Sequence, residues 1–351
     1  MRRRTAHAII MFAVAVASIG GAAFAGPKAD DRFLTGVNIA GAEFNGKKLP
    51  GVADRDYFYP KPATIDHFAT AGMNVIRVPF RWERIQPTLN GELDPGEFRR
   101  LADVVHRATA RKLFVILDVH NYAAYGGASI GTPEVPVAAF ADLWKRLAGK
   151  FKKEKEVGFG LMNEPKGLPT ETWLEAANAA IAQIRAVGAK NLVFVPGNGY
   201  TGGQSWFKKS YGTPNAAVML GVNDPGDNYV YELHQYLDSN YSGTHPECQS
   251  ETIGVTTLTA VTDWLRQHHK RGFLGEFGVG KGPTCLAALD AMLGFMSKNR
   301  DVWLGWTYWA AGAWSPGYFA SVQPVDGVDT PQMKVLLKHV AEAQHDRAGL
   351  P

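Results

Sequence analysis

Eight short apolar runs alternate with amphipathic stretches along most of the chain, and few folds accept that rhythm. The runs cover 34–39, 74–79, 113–118, 157–162, 192–196, 229–234, 273–276 and 302–309. Most are nearly unbroken in apolar residues, as expected of strands covered on both faces. The stretches between them repeat at helical spacing. Examples are Ile65, Phe68 and Ala69 in 62–73, and Phe140, Trp144, Leu147 and Phe151 in 137–151. Others are Phe98, Leu101, Val105 and Ala108 after a helix-opening Pro95, Trp173, Ala177, Ile181 and Ile184 in 170–185, and Val261, Trp264 and Leu265 in 258–268. Two further helices are expected over 285–296 and 331–343. Strands alternating with helices in this number predict an α/β fold, a (β/α)8 barrel in a single domain. A doubly wound open sheet would want a Gly-x-Gly-x-x-Gly turn after the first strand, and Gly36-Val37-Asn38-Ile39-Ala40-Gly41 is not one. The Gly- and Asn-rich span 201–227 resists assignment, and 216–222 within it reads as a short strand or a helical turn.

The N-terminus is set apart from this pattern. Arg2, Arg3 and Arg4 precede a mostly apolar stretch, 8–17, too short to span a bilayer, and Ala23-Phe24-Ala25 has the small-x-small form of a cleavage site. Residues 1–25 therefore read as a signal peptide, 26–351 as the catalytic barrel domain, and the protein as secreted, periplasmic or extracellular. Without the three arginines the formal charge falls from +4 to +1. No basic tract then favours nucleic acid, and no later stretch favours a membrane. A monomer is expected. The two cysteines, Cys248 and Cys285, read in an exported chain as a disulfide; two free thiols or half of a metal site are the alternatives.

In a barrel, chemistry gathers at the C-terminal ends of the strands. There the chain places Asn38, Arg77, Asp118, His120, Asn163, Glu164, Glu232, His234, Tyr236, Glu276 and Trp309. Glu164 and Glu276 end apolar strands 112 positions apart. Two carboxyl groups at one mouth suit glycosidic cleavage, in which the leaving oxygen needs a proton and the anomeric carbon needs an attacking group. One must hold a proton while the other stays ionised, and an arginine such as Arg77 favours the charged form. Arg77 also reads as a structural ion pair, and His120 and His234 as catalytic groups or as hydrogen-bonded walls. Sugar rings have apolar faces that flat aromatic rings can cover. Trp309 is the expected platform; Trp82, Tyr122, Tyr200, Trp206 and Trp314 read either as cleft walls or as core.

These pieces together resemble glycoside hydrolase family 5, the cellulase A type. The likeness rests on Gly36-Val37-Asn38-Ile39-Ala40-Gly41, the segment 74–84 around Arg77, Leu117-Asp118-Val119-His120-Asn121-Tyr122, Leu161-Met162-Asn163-Glu164-Pro165, the segment 231–238, Gly275-Glu276-Phe277-Gly278 and Leu304-Gly305-Trp306-Thr307-Tyr308-Trp309. The resemblance implies a retaining barrel enzyme with Glu164 as acid/base and Glu276 as nucleophile. Arg77, Tyr236 and His234 would complete the catalytic set. Asn38, His120, Asn163, Trp309, Tyr200, Trp206 and Trp82 would bind substrate. The segment 237–248 is similar to the matching loop of fungal and bacterial endo-β-1,4-glucanases. That similarity favours β-1,4-glucan or cello-oligosaccharide over mannan, and supports pairing of Cys248 with Cys285. A β-mannanase, another β-glucanase, or a carbohydrate-binding protein on an inactive barrel are the alternatives. No cofactor and no metal are implied. Gly275-x-x-x-x-Gly280-Lys281 stops short of a phosphate loop, because Gly282 follows. No Gly-x-Ser-x-Gly nucleophile elbow is present.

Overall fold

The computed structural model describes residues 32–312, 314 and 317–348, so the signal-peptide reading of 1–25 lies outside the described residues. Eight parallel strands close into a barrel: β1 (Leu34–Ile39), β2 (Val75–Phe80), β3 (Phe114–Val119), β4 (Val157–Gly160), β5 (Val193–Pro196), β6 (Tyr229–His234), β7 (Gly272–Glu276) and β8 (Trp303–Ala311). Each pairs with its neighbours in sequence, and β1 closes the ring on β8. The predicted (β/α)8 fold is therefore the observed one. Helices follow seven strands at full length, from Pro62–Thr70 to Pro331–Ala348. After β5 the connection shrinks to a turn, Asn215–Val218, and a 3-10 turn, Met219–Gly221, which is why 201–227 shows no helical period. Among the described residues no helix is long and apolar enough to cross a membrane.

Local chemistry explains the elements. Asp94 accepts from the backbone N–H groups of Gly96 and Glu97, and Pro95 occupies the first turn, so Pro95–Ala110 starts where expected. The barrel lumen is divided along its axis by the two-residue period of the strands. One level is apolar: Leu34, Val75, Phe114, Ile116, Phe194, Val230, Phe273 and Leu304 form a core cluster of their own. Gly158 leaves room for it, since a Cβ there would come within 2.6 Å of Phe194 and 2.8 Å of Phe114. Two residues further along their strands stand Arg77, Asp118 and Glu232. The same alternation that fills the lumen with apolar side chains thus fills the next level with charge. Cys248 and Cys285 form the expected disulfide, tying the β6 loop to the helix Pro283–Lys298.

Candidate active site

Arg77 is fully buried and organises the charged level. Its guanidinium ion-pairs with Asp118 at 3.1 Å, Glu232 at 2.9 Å and Glu276 at 2.8 Å. It also donates to the amide oxygens of Asn38 and Asn163, both at 2.9 Å. Burial disfavours its charge, but the three carboxylates outweigh that and push its pKa further up. The fixed fork of a guanidinium suits this role, since it holds several acceptors in one plane.

Glu276, at the end of β7, takes two donors and faces an imidazolium. Arg77 lies at 2.8 Å, the Tyr236 hydroxyl donates at 3.0 Å, and His234 Nδ1 stands 3.5 Å away. Burial raises its pKa, and His234 and Arg77 oppose that. Glu164 lies just beyond β4 with a backbone φ of 45°, in the left-handed region. Its side chain keeps 15% exposure against 5% for Glu276. His234 Nδ1 donates to Glu164 Oε1 at 2.8 Å, while its Nε2 faces Glu232 at 3.3 Å. Burial works against the imidazolium, yet Glu276, Glu164 and Glu232 hold it protonated, up to about 10. Glu232 is itself pressed upward by burial but lies below its ordinary value because Arg77 and His234 face it.

The third strand repeats this device with the opposite result. Asp118 Oδ2 accepts from His120 Nδ1 at 2.7 Å, and burial pushes His120 down to about 3, so this imidazole is neutral. Asp118 itself is pushed up to about 7 by burial, against the pull of Arg77. The His120 ring stacks on half-buried Trp309, with centroids 5.5 Å apart and planes at 22°. One ligand atom each from Glu164, His234 and Glu276 lies within 4.8 Å of the others. That spacing could suit a cation, but a metal-binding imidazole must give up its proton, and here that proton lies between two carboxylates.

The carboxylates, the arginine and the stacked tryptophan correspond to a glycosidase centre, and residues 37–312 match the cellulase family, glycosyl hydrolase family 5. The chain belongs to that family. An endo-beta-1,4-glucanase B of Emericella nidulans is 38% identical over 317 residues, covering 89% of this chain and 94% of its own. A crystallised triple mutant of an endo-beta-1,4-glucanase from Xanthomonas axonopodis pv. citri is 51% identical with a TM-score of 0.87, covering 88% of this chain and 99% of its own. An endoglucanase of Pseudomonas stutzeri, solved with cellobiose, is 34% identical with a TM-score of 0.81, covering 88% and 92%.

Three expectations need correcting for this family 5 enzyme. Trp82 does not line the cleft. It is fully buried in a one-turn helix, Trp82–Ile85, donates to Gln86 and packs on Tyr125 and Phe140. Trp206 is likewise core, wedged between Tyr231 and Trp264. Asn38 does not reach substrate, because its amide nitrogen donates to Gly275 and Thr307 carbonyls and its oxygen accepts from Arg77. It positions Arg77 instead. Tyr200, by contrast, is exposed, and Trp314 is half-buried, its indole N–H donating to Ala40 O at 2.8 Å.

Several contributors escaped the sequence reading. Glu43 in the β1 loop is buried; it accepts from Gly41 N–H at 2.7 Å, and burial pushes it up to about 8. Next to Trp82, Glu83 holds the β3 loop through Asn121 and Gly126 N–H, and Arg84 holds the β1 loop through four carbonyls. The paired Asp-x-His and Glu-x-His spacings at 118–120 and 232–234 were legible, since residues two apart on a strand share a face.

Proposed function

We propose that this enzyme is a retaining endo-β-1,4-glucanase, with Glu276 as nucleophile and Glu164 as acid/base. The observation that carries the mechanism is the close approach of the two carboxyl groups, within 4.8 Å for one oxygen of each. Direct attack by a carboxylate needs the groups about 5–5.5 Å apart, and an inverting water needs about 6.5–9.5 Å. Their surroundings separate the roles. Glu276 accepts from Arg77 and Tyr236 and faces the His234 imidazolium at 3.5 Å. Glu164 has one oxygen held by His234 and the greater exposure.

In the first step a Glu276 oxygen attacks the anomeric carbon as the bond to the leaving oxygen breaks, and Glu164 delivers its proton to that oxygen. In the second, water attacks the same carbon, Glu164 takes the water's proton, and the bond to Glu276 breaks. The β-configuration is retained. Trp309, buttressed by His120, offers a flat face to the reacting sugar. The amide nitrogen of buried Asn163 has no hydrogen-bond partner among the described residues, so it supports the reading of Asn163 as a donor to a sugar hydroxyl. β-1,4-Glucan as substrate is supported by the likeness to endo-glucanases across nine-tenths of the chain. Export after removal of residues 1–25 belongs to the same proposal.

The test compares viscosity loss and reducing-sugar release on carboxymethyl cellulose for wild type, Glu164→Gln and Glu276→Gln. Rapid viscosity loss abolished by either change is expected. Activity on mannan alone would overturn the substrate, and activity surviving both changes would overturn the catalytic pair.

A further inference from the structure

Beyond Glu164 the cleft carries an unusual arrangement. The Lys166 ammonium lies over two rings at once, 4.9 Å from the centroids of both Tyr122 and Tyr200. Lys166 is half-buried, and among the described residues it has no carboxylate within ion-pair distance. The two tyrosines come from the β3 and β5 loops, yet both are mounted on the peptide that bears Glu164. Tyr122 N–H donates to Asn163 O at 3.0 Å, and Tyr200 N–H donates to Pro165 O at 3.1 Å. The mounting requires rare backbone geometry: Tyr122 (φ 55°), Ala123 (59°), Glu164 (45°), Tyr200 (62°) and Thr201 (48°) are all left-handed without being glycine. Strain of this kind concentrates where a site is built. The Tyr122 hydroxyl stands 3.4 Å from His120 Nε2, and Tyr200 is 44% exposed.

We propose that Lys166, between Tyr122 and Tyr200, recognises the first glucosyl unit on the leaving-group side of the scissile bond by donating hydrogen bonds to its hydroxyl groups. This rests on the assignment of Glu164 as the acid, because the acid faces the leaving oxygen and whatever is mounted beside it faces the leaving sugar. The chemistry fits a neutral polyol. Ring quadrupoles hold the ammonium in place without taking up its three N–H donors as a carboxylate would. The tyrosines supply flat apolar walls with polar tips. Lys166 is a binding and positioning residue; it makes no bond to the reacting atoms.

The test uses the full enzyme as wild type, Lys166→Met and Lys166→Arg, with two substrates. Cellopentaose has a sugar as its leaving group; a dinitrophenyl β-cellobioside has an activated phenol with no sugar hydroxyls to recognise. A hydrogen bond from a charged donor is worth about 10- to 100-fold in rate. Lys166→Met should therefore lower kcat/KM on cellopentaose by about that factor relative to the aryl glycoside, and Lys166→Arg should recover part of the loss. An equal fall on both substrates would mean that Lys166 acts on Glu164 or on folding, and no fall on either would mean that it binds nothing; each overturns the proposal. Failure of the substrate assignment is separate, because it appears in the wild type as intact cellopentaose beside a cleaved aryl glycoside. That outcome also overturns the glucosyl specificity given to Lys166.

Discussion

Gly275 precedes Glu276, and its missing side chain is what lets Glu232 lie across β7. A Cβ at this position would stand 2.2 Å from Glu232 Oε1, 2.7 Å from its Cγ and 2.8 Å from its Cδ. The backbone of Gly275 is not left-handed, so alanine meets no conformational penalty and the whole effect is this collision. The Glu232 carboxylate would have to retreat by about 1 Å to reach ordinary contact. Its 2.9 Å pair with Arg77 and 3.3 Å contact with His234 would lengthen together. Removing one partner of a buried ion pair costs about 3–5 kcal/mol. Stretching it costs less, so Gly275→Ala should destabilise by about 2–3 kcal/mol, which lowers Tm by about 5 °C in a domain of this size. Arg77 holds Glu276 and His234 holds Glu164, the proposed catalytic pair, so kcat should fall at least tenfold as well. Calorimetry and cello-oligosaccharide kinetics measure these, and a double-mutant cycle identifies the cause. In a Glu232→Ala background the alanine at 275 has nothing to strike, and its penalty should vanish. A penalty that persists at full size there would refute the reasoning, as would an unchanged Tm for Gly275→Ala alone.

Three further outcomes are expected. Glu43 is buried with its pKa raised from an ordinary 4.5 to about 8. The folded protein therefore binds more protons than the unfolded chain between those values, and stability from this group falls as pH rises through that window; Glu43→Gln should flatten Tm against pH there, and an unchanged slope would contradict the assignment. Replacing both Cys248 and Cys285 by Ser opens a 37-residue loop in the unfolded chain and should cost about 3–4 kcal/mol in denaturant unfolding. Gly149 is exposed in the helix Val137–Phe151, and a Cβ there would meet nothing within 4 Å, so Gly149→Ala should raise stability by about 0.5–1 kcal/mol with activity intact.

Much of the site was legible because strand periodicity is local. Once β3 and β6 are recognised as strands, Asp118 must share a face with His120 and Glu232 with His234. Which histidine is charged was not legible. Both stand two residues after a carboxylate, yet His234 faces three acids and is pushed up, whereas burial dominates at His120 and pushes it down. That difference comes from β4 and β7, which lie far away in sequence.

The aromatic residues mark the same boundary. Trp82, Trp206 and Tyr200 all stand near polar residues after strands, and nothing in their neighbourhoods separates them. Trp206 is core because Trp264 lies 5.4 Å from it, whereas Trp309 stays half-buried with His120 stacked on one face. Asn38 spends its amide on Gly275, 237 positions away. The alternation of periods two and 3.6 determined the barrel, and the barrel determined which residues meet at its mouth. Only the tertiary structure decided which of them are satisfied inside the protein and which keep a face or a donor for substrate, because burial and hydrogen bonding depend on partners that the local pattern does not contain.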